Sequence, residues 1–273
     1  LVQPSANIQL SQKNPDRFVK RALEIVRKGW GQPSIFNADM VVQELLRQGK
    51  AIEDARQGGT SGCVETGAFG KEAYILTGYF NLTKILEITL NNGKDPRTGK
   101  QIGIETGDPT KFQSFEQLME AFEKQVKHFV GIKMRGNHVI EKLWAQYLPA
   151  PFLSIIVSDC IEKGKDYNAG GARYNTRYIQ GVGTGSITDS LSAIKYHVFE
   201  KKTVSMAQLL EALKSNFEGH ELLRQYLLNQ TPKYGNDDDF ADDIMKQVFD
   251  IYYNAVNGRK SPTGATYRIN MLP

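Results

Sequence analysis

Five glycines fall within the thirteen residues from Gly58 to Gly70, Gly-Gly-Thr-Ser-Gly-Cys-Val-Glu-Thr-Gly-Ala-Phe-Gly. Glycine in a helix interior costs roughly 1 kcal/mol relative to alanine, so this stretch cannot continue a helix. The sequence on either side is helical in pattern. Ala38 to Arg47 reads as one helix, with Gly49 where a C-terminal glycine is expected. Asn81 caps another, which carries Leu82, Ile85, Leu86 and Leu90 and closes at Gly93. A loop with unusual backbone demands therefore interrupts a helix-rich chain.

The remaining pattern is also mostly helical. Asn14 is placed to cap a first helix with Pro15 at its first position and an apolar stripe of Phe18, Ala22, Ile25 and Val26. Asp95 to Lys100 is turn chemistry. Ser114 with Gln117 has the form of a capping box and opens a pattern reaching Tyr147, which Gly131 and Gly136 are expected to split. Further helices are expected over 153–162, from a Thr188 cap to Glu200, from a Ser205/Gln208 capping box to Asn216, and near 221–228 and 238–256. Strand character is confined to Tyr178–Val182 and Tyr267–Met271, whose partners are expected outside this chain. No repeat and no low-complexity linker is evident.

Composition bounds the function classes. The 273 residues suit one large domain or two small ones. Hydrophobic residues at 40% and charged residues at 23% exclude a disordered, collagenous or disulfide-scaffold chain. With 34 Lys+Arg against 30 Asp+Glu, the net charge of +4 implies neither nucleic acid nor an anionic membrane as partner. No stretch approaches the ~18 apolar residues that cross a bilayer, and no export signal opens the chain. Two cysteines, Cys63 and Cys160, suit a reducing cytoplasm. The chain begins at Leu1 without Met and stops directly after a strand, which leads to the expectation of a cut through something larger.

Several chemistries are weighed and set aside. The four histidines, His128, His138, His197 and His220, form no i,i+4 pair, and neither cysteine has ligand spacing, so zinc is not expected. The acids Asp237 to Asp239 with Asp242 and Asp243 lack the glycine and distal glutamate of a calcium loop and suit a helix N-terminus instead. Gly181-Val182-Gly183-Thr184-Gly185 fails the dinucleotide fingerprint because Ser186 stands where glycine is required. Cys63 and Glu65 are different. In an extended segment, residues two apart project to one side about 6–7 Å apart, so a thiol and a carboxyl would address one substrate together. Cysteine serves as a nucleophile or hydrogen-atom carrier, and glutamate as a general acid or base. A neighbouring carboxylate disfavours a thiolate, which points away from the nucleophile. The residues alone fit equally a glycine-rich turn around a buried cysteine. Cys160, on an expected helix beside Ile155, Ile156 and Ile161, reads as a structural thiol.

Ser61-Gly62-Cys63-Val64-Glu65, followed by Tyr79-Phe80-Asn81-Leu82 and the run Ile85 to Gly93, resembles the active-site cysteine region of glycyl radical enzymes, the pyruvate formate-lyase-like superfamily. Gly170 to Asn175, Gln180 to Gly183 and Asp189 to Lys195 resemble the same family, so the likeness covers essentially the whole chain. Pyruvate formate-lyase itself has two adjacent cysteines, whereas Gly62 and Val64 flank Cys63 here. The Gly-Cys-Val-Glu form is similar to the dehydratase and lyase branch. Glycerol and diol dehydratases and choline lyase have proline after this glutamate, and Thr66 stands in its place. Thr66 to Tyr74 and Thr231 to Asp237 most resemble the branch that dehydrates trans-4-hydroxy-L-proline.

The resemblance implies an α/β fold in which residues 1–273 are the helix-rich central part of a ten-stranded barrel, with the cysteine on a loop inside it. It implies a glycyl radical on a separate C-terminal loop, which oxidises Cys63 to a thiyl radical. The thiyl takes a hydrogen atom from C5 of hydroxyproline, the C4 hydroxyl leaves as water with Glu65 as acid–base partner, and 1-pyrroline-5-carboxylate results. Tyr79 is a candidate pocket wall; packing before the Asn81 cap accounts for it equally. The implied partners are a small-molecule substrate, a separate activating enzyme carrying S-adenosylmethionine and an iron–sulfur cluster, and a second copy in a homodimer. No metal, nucleic acid or membrane partner is implied. Arg173 and Asn175 fall in a family motif that serves either a turn or a substrate contact. No Arg-Val-Ser-Gly-Tyr-type radical motif occurs in these residues, so the segment is expected to be inactive alone. The rival readings are a glycyl radical enzyme for a diol or arylacetate, or one of the generic pyruvate formate-lyase type. A catalytically silent partial homologue serving as a structural module is the reading from another class.

Overall fold

The computed structural model describes residues 5–272. The elements run β1 (Asn7–Leu10), α1 (Asp16–Val26), β2 (Ser34–Asn37), α2 (Ala38–Arg47), α3 (Ile52–Arg56), β3 (Gly59–Ser61), β4 (Glu65–Gly67), β5 (Glu72–Asn81), α4 (Leu82–Leu90), α5 (Phe115–Tyr147), α6 (Pro151–Ile156), β6 (Tyr174–Val182), α7 (Thr184–Ala193), α8 (Met206–Lys214), α9 (Glu221–Gln230), α10 (Asp239–Val256) and β7 (Thr266–Leu272). A π-helical run, Ile194–Glu200, follows α7 directly.

The chain divides into two compact units. The first holds the residues up to 77 with 137–178 and 258–270; the second holds 78–136, 179–257 and the end of β7. Strands β5, β6 and β7 form one sheet in that order and contribute residues to both units, as does α5. In the first unit β1 and β2 pair in parallel, with Asn7 opposite Ser34 and Leu10 opposite Asn37. Below them Val41 and Leu45 of α2 pack on Ala55 of α3. The core of the second unit includes Leu82, Leu118, Phe122, Ile187, Leu191, Ile244 and Val248, all fully buried. Phe80 stacks on Tyr252 there with ring centroids 5.3 Å apart.

Local chemistry explains which expectations hold. α2 and α4 run over the residues expected, and Asn81 accepts the Lys84 amide at 2.9 Å as their pattern requires. The Ser205/Gln208 capping box is formed in full at the head of α8. Other expectations are corrected. Pro15, not Asn14, occupies the cap of α1, because the Asn14 carboxamide accepts the Ser11 amide at 2.7 Å. α5 is one unbroken helix of 33 residues, so Gly131 and Gly136 do not split it. Gln117 accepts from the Gln113 amide, one residue before the box expected at Ser114. The helix expected over 153–162 ends at Ile156, since Asp159 is left-handed (φ +75°) and the Ser158 amide turns away to the Gly70 carbonyl. Thr188 lies inside α7, where its hydroxyl donates back to the Thr184 carbonyl at 2.7 Å. The two recognisable strands belong to β6 and β7, which neighbour each other in the sheet, so each has a partner within this chain.

Candidate active site

Cys63 and Glu65 lie on a β-hairpin, not along one extended segment. β3 and β4 are antiparallel, with Gly59 opposite Gly67, Thr60 opposite Thr66 and Ser61 opposite Glu65. Gly62-Cys63-Val64 remains as a three-residue tip, in which Gly62 takes the left-handed conformation (φ +47°) that such loops demand. Cys63 is exposed at the tip. Glu65 opens the return strand and is only 6% exposed. The thiol is thus presented outward while the carboxyl next to it is sheltered.

The hairpin is held by residues far away in sequence. The Asn270 side-chain amide, from β7, donates to the Val64 carbonyl at 3.1 Å. Asn7 donates to the Thr60 carbonyl at 3.3 Å. The Tyr178 hydroxyl, from β6, donates to the Thr66 carbonyl at 2.9 Å and lies 3.0 Å from the Thr66 hydroxyl. Tyr178 is fully buried, and that burial pushes its phenol up to about 12. A Cβ on Gly67 would meet the Tyr74 ring at 2.4 Å, so only glycine lets β4 lie against it. Burial also raises the Tyr74 phenol, which hydrogen-bonds Ser61, with the Glu72 and Glu65 charges adding to the rise.

Beneath the hairpin is a buried ion pair. Lys50 Nζ lies 3.0 Å from Glu72 Oε1, and both side chains are almost wholly inaccessible. Glu72 also takes the Ala68 amide at 2.8 Å and the Thr176 hydroxyl at 2.5 Å, which compensates its charge. Burial lowers the Lys50 pKa against the opposing pull of Glu72. Arg173 pairs with Asp159 at 2.9 Å and with Asp54 at 3.3 Å. Asp54 also holds Lys71 at 2.5 Å and the Tyr174 hydroxyl at 2.8 Å, and the Lys71 bond leads in holding its carboxyl below the usual range. Asn175 donates to the Ala172 carbonyl at 2.8 Å. Arg173 is therefore engaged by carboxylates of α3 and of the turn after α6, and Asn175 by the turn before β6.

Cys160 is buried with Ala73, Val157 and Ala172, in a turn after α6, not on a helix. Burial pushes its thiol up, which suits a packing role. Tyr79 lies on the part of β5 that belongs to the second unit and is 60% exposed. A cavity of about 140 Å³ in the first unit is bounded by Thr77, Glu141, Trp144 and Arg177 among others, and neither Cys63 nor Glu65 lines it. Among the described residues no group of three or more His, Cys, Asp or Glu is placed to hold a metal ion. No helix among them is long and apolar enough to cross a membrane. The tip anchor, Asn270, and the base anchor, Tyr178, carry no motif that would mark them in the sequence.

Comparison with known proteins decides the family. The sequence profile described as pyruvate formate lyase-like matches residues 1–273, the whole chain. The chain belongs to the pyruvate formate lyase-like family. Within it, a trans-4-hydroxy-L-proline dehydratase from Clostridioides difficile is 63% identical over all 273 residues, which cover 35% of that protein. A (2S)-3-sulfopropanediol dehydratase from Klebsiella oxytoca is 33% identical over 98% of this chain and 33% of its own length. The crystal structure of hydroxyproline dehydratase from C. difficile with trans-4-hydroxy-L-proline bound superposes with a TM-score of 0.95 over 100% of this chain and 35% of that one. A glycerol-bound glycerol dehydratase from Clostridium butyricum superposes at 0.89, with 36% identity, over 98% of this chain and 34% of that one. The chain thus has the α/β fold of the matching segment in these family members and spans about a third of their length.

Proposed function

We propose that residues 1–273 are the central, cysteine-bearing segment of a glycyl radical dehydratase barrel that converts trans-4-hydroxy-L-proline to 1-pyrroline-5-carboxylate. The observation that carries this reading is the 63% identity over the entire chain to a hydroxyproline dehydratase, against 33% to a sulfopropanediol dehydratase. The site is compatible with it. An exposed thiol on a clamped hairpin tip suits a hydrogen-atom carrier that other parts of an enzyme must reach. A sheltered carboxyl one residue beyond the tip suits proton transfer to a leaving hydroxyl.

A glycyl radical, installed by an activating enzyme that uses S-adenosylmethionine and an iron–sulfur cluster, supplies the oxidising equivalent. Cys63, as thiyl, takes a hydrogen atom from C5. Glu65 gives a proton to the C4 hydroxyl, which departs as water, and the ring nitrogen gives up its proton. Cys63 then returns its hydrogen atom at C4, restoring the thiyl. The substrate loses one hydroxyl and one N–H proton, the elements of water, and gains a C5=N bond. Tyr79, exposed on β5, is assigned to the substrate pocket. The reading extends to a homodimer in a reducing cytoplasm, in keeping with two unpaired cysteines.

The test is anaerobic turnover of hydroxyproline by the full-length polypeptide that contains these residues. Cys63→Ser is expected to abolish turnover, and Glu65→Gln to lower kcat roughly 10²–10⁴-fold. These 273 residues alone are expected to give no product. Turnover by Cys63→Ser would refute the thiyl role. A higher kcat/KM for glycerol or a sulfonated diol than for hydroxyproline would reassign the substrate.

A further inference from the structure

The Val64 carbonyl lies between the proposed hydrogen-atom carrier and the proposed proton donor, and the Asn270 amide donates to it at 3.1 Å. The two residues are 206 apart in sequence and belong to one compact unit. The Val64 backbone, within the tip, is tied to β7 by the Asn270 side chain, while Asn7 and Tyr178 reach Thr60 and Thr66 in the strands. The orientation of the Asn270 carboxamide follows from chemistry. Turned over, it would aim an oxygen at another oxygen. Its Oδ1 is buried and accepts no hydrogen bond from the described protein groups.

We infer that Asn270 is a positioning residue, which fixes the Cys63 thiol and the Glu65 carboxyl relative to one another through the Val64 carbonyl. This rests on the dehydratase reading above. The Asn270 bond acts on the tip itself, between Cys63 and Glu65, and the hydrogen-atom and proton transfers both require their groups in register. Misplacement of reacting groups by about 1 Å costs as much as 10²-fold in rate.

Asn270→Asp isolates the donor, because aspartate has the same shape but, ionised, can only accept. Facing a carbonyl oxygen in a sheltered place, the new carboxyl titrates above the usual ~3.9 and, once protonated, donates again. The other charged and titratable groups of this region include Cys63 and Glu65 on the hairpin, Glu72 and Tyr74 on β5, Lys50 after α2, Tyr178 on β6 and Arg268 on the same strand as Asn270. All are present in both proteins, so the variant is read as a ratio to wild type at each pH.

The experiment uses the activated full-length enzyme with trans-4-hydroxy-L-proline, and glycyl radical content is read by electron paramagnetic resonance. Expected for Asn270→Asp is unchanged radical content and KM, a kcat about 10–100-fold below wild type at pH 8, and a ratio that recovers several-fold by pH 6. In the radical-free protein, amide hydrogen exchange at Cys63 and Val64 is expected to quicken at pH 8 while that of β5 does not. Wild-type kcat at both pH values with Cys63→Ser inactive would overturn the inference and leave the dehydratase reading intact. So would unchanged exchange at the tip, which needs no activity at all. Turnover by Cys63→Ser would instead remove the reading on which the inference stands.

Discussion

His197 shows how one residue ties stability to pH. It is fully buried, with Nδ1 3.3 Å from the Thr203 hydroxyl and Nε2 3.2 Å from the Thr231 hydroxyl. The Tyr196 and Tyr226 rings pack on it at 5.0 and 4.9 Å between centroids. Burial first, and the Lys233 charge second, lower its pKa. The ring therefore stays neutral in the folded protein, where the unfolded chain would take a proton near pH 6.5. Because the unfolded state binds more protons below that pH, stability is full above about 6.5 and declines as pH falls toward the lowered value. Urea unfolding from pH 8 to 5 is expected to show that decline, and His197→Gln to flatten it. An equal slope in both proteins would show that other groups carry the dependence. At the same scale the sequence makes Cys63 and Glu65 legible as a pair, since their spacing and flanking glycines can be read directly. Asn270 and Tyr178 are not legible, because their role exists only after β6 and β7 bring them to the hairpin.

At the scale of elements, what can be read from sequence is what local chemistry decides. Asn81 and the Ser205/Gln208 box announce α4 and α8 because their bonds span three residues. The hairpin β3–β4 hides in a glycine-rich run, since Gly59 and Gly67 have no side chains to show alternation and are required by close packing. β5 hides because it is buried unevenly, without a period of two. α5 makes the opposite point. Its two interior glycines lower helix propensity, yet packing of Leu118, Phe122, Val126, Val130 and Met134 carries the helix through. A Cβ on Gly136 would touch nothing within 4 Å, so no contact among the described residues requires glycine there. Gly136→Ala in the 273-residue chain is expected to stabilise it by about 0.5–1 kcal/mol, read from the urea midpoint at constant m. Destabilisation would mean that the backbone at this point is not that of a regular helix.

At the scale of the whole molecule, the surface rather than the core is unusual. The second half of α5 and the short α6 leave Val139, Ile140, Leu143, Trp144, Phe152 and Ile156 exposed, Phe152 by 84%. Soluble monomers rarely display a contiguous apolar face of more than a few hundred Å², and such faces mark contacts. The chain spans about a third of the length of its relatives, so in a polypeptide of that length the other two thirds of the chain are available to cover this face. The barrel reading makes the face one that the rest of the chain covers. The measurable consequence is that the 273 residues produced alone bind the dye 8-anilinonaphthalene-1-sulfonate strongly and associate beyond a dimer at micromolar concentration, while a full-length relative-sized polypeptide binds little dye and forms nothing larger than a dimer. Replacing Ile140, Trp144 and Phe152 with polar residues is expected to suppress both effects in the short chain and to destabilise the long one by several kcal/mol, because there the same side chains would be core. If the triple variant left the long polypeptide as stable as before, the α5–α6 face would be solvent-exposed there too, and the apolar character of these side chains would need a partner from another molecule.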